Sequence, residues 1–293
     1  MTAFRVLASV SLLCTLLGCA TNEPTPHPHY VLGDPYQSGG VWWYPRDNLG
    51  FDETGLAAVY SGDHPYLTTD GEVFSQGAFA SGQPTLQLPS IARLTDLQTG
   101  RSVLVRINDR GTPTPARLVQ VTRRIADLLG MPRDGVAQVR LTILSVPTQE
   151  AESYVGGAPM PQVQAAPRGT VQSTDLAPLP GARQEGGRTV AAESVASAPP
   201  NDPAPQRLPE TLTQGTPDPG RLWVRLDTFQ SYEYAAIQRA KLSGLAPRIV
   251  SVLDGGAETF RVMAGPFDSV AQADAALDQA IRGGVPDARI VVE

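Results

Sequence analysis

The sequence predicts two folded units of different class: a small, mainly β barrel, then an α+β unit, with an unstructured linker between them. Three observations carry this expectation. Residues 30–147 consist of short apolar/polar alternations punctuated by Gly and other turn residues, the period-two signature of strands. Residues 221–293 order their periodicities as β-α-β-β-α-β. Between them, over 148–220, Pro, Ala, Gly, Gln and Ser dominate, aromatic residues almost vanish and no period survives.

Taken in chain order, residues 1–18 read as a signal peptide. One positive charge in MTAFR precedes an apolar run from Val6 to Leu17, too short to span a membrane. The run closes on Leu16-Leu17-Gly18-Cys19, the pattern of a lipobox, so Cys19 is the expected lipidation site and becomes the first residue of the mature chain. Two or three acyl chains there would anchor the protein to a membrane durably. Ala20 in place of Asp favours the outer membrane. Cys14 and Cys19 are the only cysteines, which leaves no internal disulfide in the mature chain. Residues 19–29 then form a short Pro-rich spacer.

Within 30–147 the clearest strand runs through Val103, Val105 and Ile107 and ends in Asn108-Asp109-Arg110-Gly111, with Asp109 on the apolar side. Local grammar reads that end as turn chemistry, because Asn and Asp cap their own backbone and Gly accepts positive φ. A helix is expected over 122–129, with Ile125, Leu128 and Leu129 on one face and Gly130 as its stop, followed by a closing strand over 138–146. Linker 148–220, as a coil, would span on the order of 50 Å. The last unit alternates strands (222–229, 247–253, 259–267, 288–292) with helices near 231–244 and 269–284, a ferredoxin-like arrangement with both helices on one face of a four-stranded sheet.

Composition excludes several functions. A net charge of −6 gives nucleic-acid binding no electrostatic support. Three histidines and no cysteine beyond the anchor cannot assemble a transition-metal cluster, and no cofactor is expected. No GxGxxG or P-loop pattern is present.

The motifs converge on a resemblance. Arg261-Val262-Met263-Ala264-Gly265-Pro266-Phe267 matches the RVxxGPF signature, so residues 221–293 resemble a SPOR domain, which binds peptidoglycan glycan strands stripped of their stem peptides and gathers where cells divide. Phe51-Asp-Glu-Thr-Gly55, Thr68-Thr-Asp-Gly-Glu72, Leu88-Pro89 and Val105-Arg-Ile-Asn-Asp-Arg-Gly111 resemble the six-stranded double-psi β-barrel of the rare lipoprotein A family. That family implies lytic transglycosylase activity: cleavage of the β-1,4 bond between N-acetylmuramic acid and N-acetylglucosamine without water, leaving 1,6-anhydro ends. Its two catalytic carboxylates fall on Glu72 and Asp109, with Asp109 expected as the acid/base and Glu72 as its partner. His64, Gln83, Arg110 and Tyr60 are the substrate-binding residues the resemblance implies.

Several positions depart from the family pattern. Gln83 stands where a His is usual and cannot titrate near neutral pH. Gln120 replaces an Asp, Val59 a Trp and Ser61 a Gly. Two functions therefore stay open on sequence alone. One is a working transglycosylase in wall remodelling and daughter-cell separation. The other is a non-catalytic glycan-binding lipoprotein that tethers the envelope or scaffolds the division site, with division-site proteins as further partners.

Overall fold

In the computed structural model, residues 24–132, 135–156, 208–254 and 256–293 are described here; Cys19 and its signal lie outside them. A hairpin of β1 (Tyr36–Ser38) and β2 (Val41–Trp43) precedes the barrel. The barrel strands are β3 (Asp52–Val59), β4 (Ala80–Gly82), β5 (Ser90–Asp96), β6 (Arg101–Asp109), β7 (Val119–Val121) and, after helix α1 (Arg123–Leu129), β8 (Val136–Ile143). They hydrogen-bond in the order β4-β7-β3-β8-β5-β6, and β4 pairs again with β6, closing a six-stranded barrel. The expected fold class is thus the observed one.

Strand alternation builds the core. Val103, Val105 and Ile107 of β6 point inward with Leu94, Val121, Val139 and Leu141, and α1 closes one end with Ile125 and Leu129. Thr122 enters α1 in extended geometry, and Gly130 ends it in the left-handed region at φ 75°.

The expected linker begins and ends on the barrel. Helix α2 (Ser145–Tyr154) covers residues assigned to it by composition; Thr148 Oγ1 accepts from the Ile91 backbone N–H at 2.9 Å, and Ala151 is buried. At the far end, β9 (Thr213–Gln214) adds to β6, and the Asp218 N–H donates to the Leu97 carbonyl. Composition hid both, because neither segment carries a long apolar stripe. Residues 157–207 lie outside the described residues.

The second unit runs β10 (Leu222–Phe229), α3 (Tyr232–Lys241), β11 (Arg248–Asp254), β12 (Ala257–Phe267), α4 (Val270–Arg282) and β13 (Arg289–Val292), with sheet order β11-β12-β10-β13. Val224, Leu226, Val262 and Ala264 pack against Ala273, Leu277 and Ala280 of α4. Ser231 and Ser269 cap the two helices by accepting backbone N–H bonds.

The two units touch. Leu56 and Ala57 leave β3 on opposite faces; Ala57 joins the barrel core, whereas fully buried Leu56 packs with the α+β unit. Burying that one leucine contributes about 2 kcal/mol relative to exposure. Edge strand β13 lies along β3, where Thr54 Oγ1 donates to the Val292 carbonyl at 2.6 Å. Ion pairs Arg225–Glu53 (3.1 Å) and Arg117–Asp274 (2.8 Å) flank this contact.

Candidate active site

Strand β6 delivers Asp109 to an open groove of about 330 Å³ that Tyr60, Tyr66, Gly111, Thr112 and Gln120 also line. Asp109 is 7% exposed. Its Oδ1 accepts from the Thr69 backbone N–H (3.1 Å), the Thr69 hydroxyl (2.7 Å) and the Arg110 backbone N–H (2.9 Å). Its Oδ2 accepts from the Tyr66 hydroxyl at 2.8 Å. The carboxyl is therefore held in one orientation at the groove wall, with Gly111 turning the chain away at φ 66°.

Glu72 is placed differently. Its Oε1 accepts from Arg106 Nε at 2.6 Å, and its Oε2 from Asn108 Nδ2 at 2.7 Å. Arg106 and Asn108 share one side of β6 and Asp109 takes the other, so the two carboxylates are bound from opposite sides of the strand. Glu72 is not among the groove-lining residues. Between them the turn Thr68-Thr69-Asp70-Gly71 hands Thr69 to Asp109 and carries Glu72 to Arg106.

Asp70 organises that turn. Its Oδ1 accepts from the Thr68 hydroxyl (2.8 Å) and the Glu72 backbone N–H (3.2 Å), while buried Oδ2 has no hydrogen-bond partner. Burial, then the neighbouring Glu72 charge, pushes its pKa up to about 7. The spacer expected before residue 30 also packs here, since the His27 and His29 N–H groups donate to the carbonyls of Gly71 and Asp70.

The remaining expected site residues divide. Tyr60 reaches the groove: its ring meets Phe74 edge-on at 4.9 Å, and its hydroxyl is buried without a hydrogen-bond partner. Burial first, then the charge on Asp109, raises the pKa of that phenol, so it stays a hydrogen-bond donor. Gln83 is turned into its own loop, where Oε1 accepts from the Thr85 and Leu86 N–H groups; only its backbone N–H reaches the Asp109 carbonyl, at 2.9 Å. The Arg110 guanidinium staples loops together by donating to the carbonyls of Leu32 (2.7 Å) and Leu86. Burial lowers its pKa. His64 is exposed in the β3–β4 loop and does not line the groove. Gln120 does line it, with Oε1 accepting from the Thr112 N–H at 2.6 Å.

Sequence reading missed Thr69 and Tyr66, which hold Asp109, and Arg106 and Asn108, which hold Glu72. The adjacency of Asn108 and Asp109 at a strand end was the available signal, because neighbouring residues there must serve opposite faces. Among the described residues no His/Cys/Asp/Glu group is arranged to hold a metal.

Residues 52–141 match the family model described as lytic transglycolase, and residues 218–289 match the SPOR domain. The endolytic peptidoglycan transglycosylase RlpA of Pseudomonas aeruginosa is 30% identical over 254 residues, covering 84% of this chain and 72% of that protein. RlpA of Rickettsia bellii is 29% identical over 172 residues, 50% of this chain and 76% of that protein. The crystal structure of the RlpA SPOR domain from Pseudomonas aeruginosa is similar at a TM-score of 0.24 and 24% identity, covering 25% of this chain and 99% of that one. With both family models matched in order and this identity sustained over most of its length, the chain belongs to the RlpA family.

Proposed function

We propose that the protein is a peptidoglycan lytic transglycosylase acting on glycan strands without stem peptides. The observation that carries this reading is Asp109: a carboxyl group fixed by four hydrogen bonds on the wall of an open groove. The names of the relatives, endolytic peptidoglycan transglycosylases, support the same reaction.

Asp109 gives a proton to the departing glycosidic oxygen as the bond to C1 of the muramic acid breaks. The sugar's own 6-hydroxyl then closes on C1, and its proton returns to Asp109. One carboxyl group at the groove serves both steps in turn. Tyr60, a phenol kept protonated by burial and by the Asp109 charge, packs its ring against Phe74 and shapes the groove wall beside Asp109. Glu72 acts by fixing Arg106, Asn108 and the turn that presents Thr69.

Incubating residues 20–293 with amidase-treated peptidoglycan, beside Asp109→Asn, tests the reading. Internal cuts with 1,6-anhydro ends that disappear in the variant support it; equal cutting by both overturns it. A glycan-binding tether is the second reading, favoured by Gln120 on the groove wall where a carboxylate would complete an acid pair. Bound but uncut glycan would establish it.

The protein acts from the periplasmic side of a membrane, held by acyl chains on Cys19 and enriched at division sites by its SPOR unit. Loss of fatty-acid labelling in Cys19→Ala tests the anchor.

A further inference from the structure

Where β13 docks on the barrel, the two units enclose a second cavity of about 260 Å³. Its chemistry differs from that of the groove. Arg46, Arg117, Arg225 and Arg289 line it against two carboxylates, Glu53 and Asp287, in a chain whose net charge is −6. Two of the arginines are neutralised: Arg225 by Glu53 and Arg117 by Asp274. Arg46 and Arg289 form no ion pair among the described residues.

Arg289 is the informative one. Its guanidinium lies 5.4 Å from the ring of buried Trp43, so it is held by a neutral surface. Burial, then the nearby Arg225 charge, lowers its pKa, with Glu53 and Asp287 only partly offsetting them. A half-buried cation beside another cation, with no anion of its own, is an unfavourable arrangement that a bound anion relieves. Tyr44, 58% exposed, offers an aromatic face on the same cavity. Arginine plus a flat aromatic suits a carboxylate carried on a sugar.

Two chain segments lead from the groove to this cavity. Gly82 pairs with Asp109 in the β4–β6 ladder, and the next residues, Gln83, Pro84 and Thr85, line the cavity. Likewise Gly111 and Thr112 line the groove, and Thr114 and Pro115 the cavity.

We infer that this interdomain cavity binds the free lactyl carboxylate of a muramic acid residue flanking the cleavage point. The inference rests on the reading that such glycan strands are the ligand. It supplies a physical basis for selecting stem-free strands: attachment of a stem peptide turns that carboxylate into an uncharged, bulky amide.

The test compares stem-free glycan oligomers carrying the carboxylate with the same oligomers reduced to the alcohol. Binding is read calorimetrically in the Asp109→Asn chain, so that no cleavage intervenes. Charged hydrogen bonds of this kind support a preference of about tenfold or more for the carboxylate form. The preference should fall to about one in Arg46→Ala/Arg289→Gln, with affinity for the reduced oligomer unchanged. A parent chain without preference, or a preference that survives the double substitution, overturns the inference. If the double variant loses both oligomers through misfolding, Arg46→Ala alone decides, because Arg46 is exposed and outside every ion pair described: a reduced preference supports the site and an unchanged one overturns it. Wild-type chain that keeps the preference but never cuts would sink the transglycosylase reading and leave the carboxylate site standing.

Discussion

Replacing Asp70 with Asn should flatten the pH dependence of stability between about pH 4 and pH 7. In the unfolded chain this carboxyl ionises near 3.8; in the folded protein burial and Glu72 hold it protonated up to about 7. Between these values the folded state carries one proton more than the unfolded state, so wild-type stability falls as pH rises and levels off once both states are ionised. At 1.36 kcal/mol per pH unit, the interval corresponds to about 4 kcal/mol. Asn keeps the acceptor for Thr68 and the Glu72 N–H, and its amide replaces a protonated oxygen that already lacks a partner. Any constant cost of the buried amide cancels when the same variant is compared at two pH values. Urea unfolding of both proteins from pH 4 to pH 8 reads the effect: the variant should gain about 4 kcal/mol on wild type across that range. Parallel stability curves would mean that Asp70 ionises alike in the folded and unfolded states.

Other substitutions probe the same loop. Glu72→Gln removes a charged partner from Arg106, which is only 8% exposed, and should destabilise the barrel by about 2–3 kcal/mol in thermal or urea unfolding. Gly71→Ala places a Cβ at φ 83° and 2.3 Å from the His27 carbonyl oxygen, so limited proteolysis should cut before Tyr30 sooner than in wild type. Asp109→Asn should lower the cleavage rate by about 10²–10⁴-fold while leaving glycan affinity in place.

The legibility of the sequence followed its periodicity. Strand β6 and helix α1 could be read closely because alternation and a Gly stop are local signals, and the RVxxGPF run lies in β12 as expected. Helix α2 and strand β9 could not, since their order comes from docking onto β5 and β6 and not from any stripe of their own. In the site, Asp109 was identifiable as a carboxylate on the apolar side of a strand. The separation of Glu72 from it was not, because that depends on Arg106 and Asn108 competing for Glu72 on the opposite face. Gln83 shows the same limit: its place in the motif suggested a substrate contact, whereas its amide satisfies the backbone of the turn it opens.

Running the reaction in oxygen-18 water, with mass spectrometry of the new muramic-acid ends, distinguishes ring closure from hydrolysis. Ring closure by the sugar's own 6-hydroxyl predicts anhydro ends lighter by one water than a hydrolysed end, with no oxygen-18 incorporated. Reducing ends that carry one oxygen-18 would show that water is the nucleophile, and the protein would then be a hydrolase.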